Sequence, residues 1–591
     1  MCGLCGQLRF DSQVVSGDEL KVMMQKIARR GPDSSGLWVD DNIGFGHQRL
    51  AIIDLSNHAH QPMIDKNLGL ILIFNGTIYN YQALRQDLTK QGYQFFSHSD
   101  TEVIIKAYHY WGESCVTHLD GMFAFCIWDK IQNQLFIARD RMGIKPLYFN
   151  LTNQAFSFAS NMQALITQGI DKSINPIALQ QQLSLHGVVP APNTIINGVN
   201  KIKPATTLTI SAKGKVVERT YWKPKAIRPK ETLTDEQFIQ RTHELLTDSV
   251  LKRMNAADVP IGVLLSGGLD SSLLVALLRE AGHENVRTFS IGFENIDDEV
   301  GSEFEYSDQI VAQFKTRHEK YVISNSQVLP RLGEAVSNMS EPMVAQDAVA
   351  FYLLSEQVSK HIKVVLSGQG ADEAFAGYFW YERMQAQTGS EIERFTKHYV
   401  DRSYEEYLQT VNQQYHSNNH TETWLHYEFA KASADTFMDK VFRTDITRLV
   451  VDDPVKRVDN MTMAWGLEAR VPFMDYKLIE HALSVSPSLK MLNKGKHLLK
   501  QIARGLLLPD SVIDRKKGYF PMPALKYVRG EFLDFMSGIL TSSKCINRGV
   551  FNQTFIAKII NKPQNYMTAL NGSRLWHLAL LEYWLQINID E

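Results

Sequence analysis

A glycine- and serine-rich stretch at residues 264–272, reading LLSGGLDSS, has the residue types needed to bind a phosphate group. Its two glycines let the backbone approach a ligand without a Cβ atom in the way, its serines offer hydroxyl donors, and Asp270 offers a carboxylate suited to Mg²⁺. The apolar run at 260–265 predicts a buried strand, and the run at 271–280 predicts a helix whose N-terminus faces the loop. Because the stretch has no Walker lysine, it indicates a phosphate cradle unlike that of ordinary kinases or GTPases.

A second candidate for chemistry is Cys2, which directly follows Met1. Removal of Met1 would leave a cysteine with a free α-amino group, and such an amine titrates at about pH 8. One residue would then supply both a thiol nucleophile and the base that accepts its proton. Cys5 could be taken for half of a metal site, but no second cysteine pair has a matching spacing.

The composition limits the classes of protein that the chain can belong to. At 591 residues we expect two or more domains, and a net charge of −2 gives no basic footprint for nucleic acid. The longest apolar runs, such as 68–74 and 259–265, are too short to span a bilayer, and the first residues lack the features of a signal peptide. Five irregularly spaced cysteines do not make a disulfide framework. We therefore expect a cytoplasmic protein with small-molecule partners and no nucleic acid or membrane, for which a homodimer is the candidate assembly.

The elements that must position these residues fall into two regions. Strand-like runs favour an N-terminal sandwich of antiparallel sheets with flanking helices, and they lie at 70–74, 122–128, 134–139 and 155–159. From Asp235 onward, strands near 260–265, 286–291, 319–324 and 362–366 alternate with helices at 271–280, 303–316 and 347–360. This alternation predicts a parallel doubly wound sheet that binds ligands at the carboxyl ends of its strands. We expect an α/β protein with domains at 1–215 and 235–591, joined by a polar linker at 216–234.

The N-terminal region resembles the class II glutamine amidotransferases, which are N-terminal-nucleophile hydrolases. The matching motifs are MCGLCG at 1–6, RGPD at 30–33, GHQRL at 46–50, FNGTIYN at 74–80, SDTE at 99–102, GMFAF at 121–125 and ARDRMGIKPLY at 138–148. The resemblance implies that Cys2 attacks the side-chain amide of glutamine, and that Asn75 and the Gly76 N–H form the oxyanion hole. It also implies that Arg49 holds the α-carboxylate of glutamine and Asp100 its α-ammonium. Without the family match, Arg49 would be a surface ion-pair residue and Asp100 a helix N-cap.

The C-terminal region resembles the ATP pyrophosphatase superfamily and, within it, asparagine synthetase. Beside SGGLDSS, the matching motifs are LSGQGADE at 366–373, RVDNM at 457–461, LEARVPFMD at 467–475 and RKKG at 515–518. The resemblance and the predicted strand ends imply an ATP site formed by Leu264, Ser266, Gly267, Gly268, Asp270, Ser271, Ser272, Ile291, Ser367 and Gly368. Asp270 and Asp372 would hold Mg²⁺, and Lys517 would steady the adenylate and the pyrophosphate.

Together the two halves imply an amidotransferase that uses ATP, Mg²⁺ and glutamine and passes ammonia to an acyl-adenylate. Thr77 and Gln369 stand where the asparagine synthetase pattern has glutamate, and an uncharged amide cannot act as a general base near pH 7. Gln369 is therefore the candidate for the acceptor site. Both departures are similar to the N-acetylglutaminylglutamine amidotransferases, which amidate an acetylated dipeptide to make an osmoprotectant. The alternatives are an asparagine synthetase with altered site residues, a non-catalytic nucleotide or glutamine sensor, and a sulfur- or tRNA-modifying ATP pyrophosphatase.

Overall fold

The computed structural model of the protein describes residues 2–231, 233–295, 300–345, 347–515 and 528–590. Met1 and residues 516–518 of the RKKG motif, which include Lys517, lie outside these residues. The N-terminal strands are β1 (Cys2–Arg9), β2 (Ser34–Asp40), β3 (Ile43–Arg49), β4 (Met63–Asp65), β5 (Leu70–Ile78), β6 (Gly121–Asp129), β7 (Gln134–Arg139), β8 (Tyr148–Leu151), β9 (Ala155–Ala159), β10 (Asn200–Lys201), β11 (Thr206–Ser211) and β12 (Val216–Thr220).

These strands form two antiparallel six-stranded sheets, with the orders β10-β8-β9-β1-β3-β2 and β12-β11-β7-β6-β5-β4. Apolar side chains of the two inner faces pack into one core, among them Leu4, Phe45, Ile73, Cys126 and Phe158. The flanking helices are Gly17–Lys26, Tyr81–Lys90, Asp100–Trp111, Cys115–His118, Met162–Ile166 and Pro176–Ser184. Because helices cover the outer faces as well, β5 and β6 are buried on both sides and read as nearly continuous apolar runs.

The N-terminal sheet that contains β11 extends further along the chain than the sequence indicates. Strand β12 lies within the segment 216–234 predicted as linker, and it pairs antiparallel with β11 from Thr206↔Thr220 to Ile210↔Val216. The boundary predicted at residue 215 therefore divides a hairpin, because the polar side chains there belong to an exposed edge strand. A capped helix, Asp235–Asn255, then begins the second half.

The C-terminal strands are β13 (Ile261–Leu264), β14 (Arg287–Phe293), β15 (Arg317–Ile323), β16 (Val364–Leu366) and β17 (Glu468–Arg470). They form a parallel sheet in the order β15-β14-β13-β16-β17, which confirms the predicted α/β fold class. Its helices are Asp235–Asn255, Leu269–Glu280, Phe304–Phe314, Val328–Ser337, Asp347–Ser359, Ala371–Phe375, Phe379–Ala386, Glu391–Tyr399, Tyr404–Thr410, His420–Phe429, Phe437–Thr444, Lys456–Met463, Tyr476–Ser484, Pro487–Met491, His497–Gly505, Asp510–Ile513, Gly530–Leu540, Ser543–Arg548, Gln553–Asn561 and Arg574–Asn588.

The order of this sheet brings two distant loops together. The chain runs outward from β13 to β14 and β15, and then returns to place β16 on the other side of β13. The loops after β13 and β16 therefore leave neighbouring strands at the point where the strand order reverses, which is where open α/β sheets bind ligands. None of the described helices has the length and apolar character needed to cross a membrane.

Candidate active site

Cys2 lies at the start of β1, buried and directly opposite Arg49 of β3. Burial raises the pKa of its thiol, and the nearby Arg49 charge opposes that effect. The backbone nitrogen of Cys2 donates a hydrogen bond to Oδ1 of Asn75 at 3.0 Å. The Nδ2 atom of Asn75 is buried and has no hydrogen-bond partner among the described residues. This unpaired donor beside the thiol is suited to an oxyanion formed on a carbonyl that Cys2 attacks.

Gly76 follows Asn75 in β5 and lines the same small pocket as Cys2. Its φ is +155°, and a Cβ atom at this position would lie 2.1 Å from the carbonyl oxygen of Met122 on the neighbouring strand β6. Only glycine fits this close approach of two backbones, so the pairing of β5 with β6 beside Cys2 depends on it.

Arg49 and Asp100 line the pocket on either side of Cys2. The Arg49 guanidinium is oriented by hydrogen bonds to the carbonyl oxygens of Ser56 at 3.2 Å and Asp54 at 2.5 Å. Asp100 is the first residue of its helix and accepts a hydrogen bond from the Ile78 N–H at 3.0 Å. Burial raises the pKa of Asp100 to about 6. One positive and one negative side chain thus face the pocket, as an amino acid substrate requires.

The alternative reading of Asp100 as a helix N-cap does not describe this helix. Ser99 is the N-cap, and its hydroxyl accepts a hydrogen bond from the Glu102 N–H at 3.3 Å. The Asp100 carboxylate therefore does not cap the helix, and it accepts the hydrogen bond from the backbone N–H of Ile78 in β5 instead. The structure brings together five residues singled out from the sequence: Cys2, Arg49, Asn75, Gly76 and Asp100.

A second and much larger cavity, of about 770 Å³, opens at the carboxyl ends of β13, β14 and β16. Predicted residues on its wall are Leu264, Ser266, Asp270, Ser271, Ile291, Ser367, Gly368, Gln369 and Asp372. Ile291 lies inside β14, which continues to Phe293, so the prediction that it ends the second strand is wrong. The cavity volume lies within the range of about 300–1,000 Å³ that is usual for small-molecule sites.

Three residues predicted at the ATP site are not on the cavity wall, namely Gly267, Gly268 and Ser272. Gly267 has a φ of +74°, and a Cβ atom there would lie 2.7 Å from the backbone nitrogen of Ser307. It allows the loop to pack against the helix Phe304–Phe314. Gly268 is the N-cap of the helix Leu269–Glu280 and makes no side-chain cap, and the positive end of the helix dipole at this N-terminus is suited to an anion.

Lys496 joins the two carboxylates predicted to hold Mg²⁺. Its Nζ atom lies 2.6 Å from Oδ2 of Asp270 and 2.6 Å from Oδ1 of Asp372. Burial would lower the pKa of Lys496, but the two carboxylates raise it well above the usual value. Two carboxylates that converge on one cation have the donor chemistry that Mg²⁺ prefers, so Asp270 and Asp372 fit that metal. Sequence reasoning missed Lys496, because it lies more than 200 residues from Asp270 and follows no metal-ligand spacing.

The far wall of the cavity contains aromatic and imidazole groups that the motifs do not include. Tyr378, Trp380, Tyr399, His186 and His577 all line it. The indole N–H of Trp380 is buried without a partner among the described residues. The aromatic segment near residues 380–450 therefore contributes Trp380 and Tyr399 to the cavity wall.

The two histidines flank a buried carboxylate. Nδ1 of His186 and Nδ1 of His577 each lie 3.2 Å from Oδ2 of Asp401. Although burial opposes it, the Asp401 charge raises the pKa of His186, whereas burial lowers the pKa of His577 to about 4. The three side chains could hold a metal ion by spacing alone, but the distances equally suit hydrogen bonds from the imidazoles to the carboxylate.

The two halves meet through buried charged groups. Asp459 of the C-terminal half accepts from Arg30 at 2.9 Å and Lys145 at 3.1 Å, both from the N-terminal half. Nearby, the Thr77 hydroxyl donates to Glu468 at 3.2 Å. These motifs are visible in the sequence, but nothing in their spacing shows that they pair across the interface.

The sequence matches known families along almost its whole length. The asparagine synthase family matches residues 241–586, and the glutamine amidotransferase domain matches residues 1–222. The chain belongs to the asparagine synthetase family. It is a carbon–nitrogen ligase of the glutamine-hydrolysing type, which converts ATP to AMP and pyrophosphate.

Individual members of the family align with most or all of its length. Asparagine synthetase (glutamine-hydrolyzing) 1 of Bacillus subtilis (strain 168) is 32% identical over 628 residues, covering 100% of this chain and 97% of that protein. Asparagine synthetase B (glutamine-hydrolyzing) of Escherichia coli (strain K12) is 28% identical, covering 88% of this chain and 82% of that protein. Among solved structures, glutamine phosphoribosylpyrophosphate amidotransferase from B. subtilis is 14% identical with a TM-score of 0.30, covering 56% of this chain and 93% of its own.

Proposed function

We propose that this ligase amidates the C-terminal carboxylate of N-acetylglutaminylglutamine with ammonia released from glutamine at Cys2. The observation that carries the proposal is Gln369, a neutral amide on the cavity wall beside the Asp270 loop, where the family pattern has a glutamate. An amide cannot remove a proton from the attacking ammonia near pH 7. The acceptor side of the reaction therefore differs from that of an ordinary asparagine synthetase.

In the first half-reaction, the Cys2 thiolate attacks the side-chain carbonyl carbon of glutamine. The oxyanion that forms accepts hydrogen bonds from Nδ2 of Asn75 and the N–H of Gly76, while Arg49 and Asp100 hold the two charges of the substrate. The α-amino group of Cys2, free once Met1 is removed, takes the thiol proton and returns it to the leaving nitrogen, so the intermediate collapses to ammonia and a thioester on Cys2. Water then hydrolyses the thioester to glutamate and restores the thiol.

In the second half-reaction, the acceptor carboxylate attacks the α-phosphorus of ATP and expels pyrophosphate. The N-terminus of the helix Leu269–Glu280 and the hydroxyl groups of Ser266 and Ser271 can bind the phosphates. Mg²⁺ on Asp270 and Asp372 would neutralise the pyrophosphate charge. Ammonia then attacks the acyl carbon, and AMP leaves. Lys517, which we expect to steady the adenylate, lies outside the described residues.

The charges on the cavity wall also favour an acceptor with a single carboxylate. Arg457 is the one lysine or arginine among the described wall residues. It is already paired with Asp347 at 3.2 Å and Asp453 at 2.8 Å. Aspartate would bring a second carboxylate that needs a cation, whereas the distal part of an acetylated dipeptide is neutral. Amide groups can instead bind donors such as the unpaired Trp380 N–H.

Aspartate is the second candidate acceptor, and one observation favours it. The carboxylates of Asp347 and Glu373 line the cavity, and negative charge on them would attract the ammonium group of aspartate. On this alternative the enzyme is a glutamine-hydrolysing asparagine synthetase that functions without the glutamate that the family pattern has at the position of Gln369.

Acceptor-dependent pyrophosphate release separates these functions. The purified enzyme, with ATP, Mg²⁺ and glutamine, is assayed with N-acetylglutaminylglutamine and with aspartate, and Gln369→Glu is assayed in parallel. In the unmodified enzyme we expect pyrophosphate release with N-acetylglutaminylglutamine and not with aspartate. Activity with aspartate is expected only in Gln369→Glu, which restores the glutamate of the family pattern. Release with aspartate in the unmodified enzyme would favour the asparagine synthetase. A sensor protein would show neither release nor glutamine hydrolysis.

A further inference from the structure

We propose that Glu468, a residue of the synthetase half, completes the glutamine site by supplying the negative charge that Thr77 lacks. In this view the carboxylate reaches across the domain interface and acts with Asp100 on the ammonium group of bound glutamine. The inference concerns the amide donor and holds whichever carboxylate is the acceptor.

Thr77 occupies the position in the glutamine pocket where the family pattern has a negatively charged side chain. Thr77 lies in β5 two residues after Asn75, so the two side chains point to the same face of the strand. It lines the pocket of Cys2, Arg49 and Asp100. The resemblance described above puts a glutamate at this position, whereas a threonine hydroxyl carries no charge.

Glu468 is in direct contact with that hydroxyl. Oγ1 of Thr77 donates to Oε1 of Glu468 at 3.2 Å and lies 3.4 Å from Oε2, although the two residues are 391 positions apart in the chain. Glu468 is fully buried, and Nε of Arg470 donates to it at 2.5 Å. The hydroxyl therefore bridges the glutamine pocket and a carboxylate of the other half.

The charge state of Glu468 suits this role. Burial alone would raise the pKa of the carboxyl, but Arg470 lowers it to about 2, so the group is ionised across the physiological range. Its charge raises the pKa of both the Cys2 thiol and the Asp100 carboxyl. Glu468 is thus within electrostatic reach of the nucleophile and of the residue that faces the substrate ammonium.

The position of Glu468 also links the two active sites. It begins β17, which pairs in parallel with β16 from Val364↔Glu468 to Leu366↔Arg470. The carbonyl oxygen of Arg470 accepts from the Ser367 N–H at 2.8 Å, at the start of the loop that carries Gln369. One three-residue strand therefore holds Glu468 at the glutamine pocket and the second ATP loop at the cavity. On this proposal, the glutamine site is complete only when the two halves are docked.

The first test compares Glu468→Gln with Glu341→Gln. Glu341 is the matched control because it is also a buried carboxylate that crosses the interface, accepting from Tyr148 at 3.1 Å and Lys201 at 3.2 Å. We expect Glu468→Gln to raise the KM for glutamine by about tenfold or more. Pyrophosphate release driven by ammonium salts should stay within about twofold. Glu341→Gln should change the KM for glutamine much less than Glu468→Gln does.

The second test moves the carboxylate back to the position of Thr77. Arg470 lies 3.5 Å from the Thr77 hydroxyl, so a carboxylate introduced by Thr77→Glu would be within reach of the same guanidinium. The double variant Thr77→Glu/Glu468→Gln should recover most of the glutamine affinity that Glu468→Gln loses. As an independent readout, the pH profile of Cys2 alkylation should move to lower pH in Glu468→Gln, because the charge that raises the pKa of Cys2 is gone.

Either of two results would overturn the proposal. One is an equal loss of glutamine-driven and ammonia-driven synthesis in Glu468→Gln, which would mean that Glu468 only stabilises the interface. The other is an unchanged KM for glutamine together with an unchanged alkylation profile. A wrong acceptor would abolish synthesis in the unmodified enzyme as well, and the KM for glutamine and the alkylation profile are measured without an acceptor, so neither result can be mistaken for failure of the proposed function.

Discussion

The backbone nitrogen of Cys2 lies 3.0 Å from Oδ1 of Asn75 and donates a hydrogen bond to it. Because that nitrogen is the donor, the amide oxygen of Asn75 must face it, and the amide nitrogen must face elsewhere. The Nδ2 atom is left buried without a partner among the described residues. On the proposed mechanism, this one side chain positions the nucleophile and offers a donor to the oxyanion that the nucleophile creates.

Replacing the nucleophile should separate the two nitrogen sources. We expect Cys2→Ala to abolish glutamine-dependent synthesis, since no other group would attack the amide, and to leave ammonia-dependent synthesis intact. Cys5→Ala is the matched control because it removes a buried thiol from the same strand. Pyrophosphate release with glutamine and with ammonium chloride measures both activities. Loss of both in Cys2→Ala would contradict separable sites.

Removal of the unpaired Asn75 donor should affect the rate more than binding. Asn75→Ala takes away one of the two expected oxyanion donors, and such a loss costs about 10²–10³-fold in kcat. The KM for glutamine should change far less, because Arg49 and Asp100 hold the substrate charges. Steady-state glutamine hydrolysis checks this. A rise in KM with an unchanged kcat would mean that Asn75 contributes to binding alone.

The KM for glutamine should depend on pH through Asp100. Burial raises the pKa of this carboxyl to about 6, above its ordinary value, so the group is ionised above that pH and neutral below it. Only the ionised form attracts the substrate ammonium, so the KM should rise as the pH falls from about 7 to 5. Asp100→Asn should have a high KM with no inflection in this range. An unchanged inflection in that variant would assign the titration to another group.

The carboxylate pair at the larger cavity should be needed with either nitrogen donor. Asp270 and Asp372 converge on Lys496, so Asp270→Asn would leave one carboxylate for Mg²⁺. We expect pyrophosphate release to fall by at least about 100-fold with both glutamine and ammonia. Glutamine hydrolysis at Cys2 provides the internal control and should continue. Normal pyrophosphate release would disprove the metal-ligand assignment.

What the sequence predicts depends on whether the interacting residues lie within one motif. The strand, the loop and the helix around Ser266 and Ser271 follow from a contiguous pattern of apolar, glycine and serine residues. The pairing of Cys2 with Asn75 could be inferred because both residues lie in motifs of one resemblance.

Contacts between distant segments were not predictable in this way. Lys496 meets Asp270, and Glu468 meets Thr77, only because the sheet order and the docking of the two halves bring them together. The helix and strand propensities of the separate segments contain no information about which distant residues meet. The same limitation explains β12, whose polar residues read as a linker but pair as an edge strand.

The most direct test of the account follows the nitrogen atom. The enzyme is incubated with glutamine labelled with ¹⁵N in its side-chain amide, ATP, Mg²⁺, and equal amounts of N-acetylglutaminylglutamine and aspartate. We predict that the label appears in the C-terminal amide of the dipeptide, that unlabelled ammonium in the medium dilutes it little, and that Cys2→Ala abolishes the transfer. Label in asparagine would contradict the proposed acceptor, and unlabelled products would contradict transfer of ammonia between the two sites.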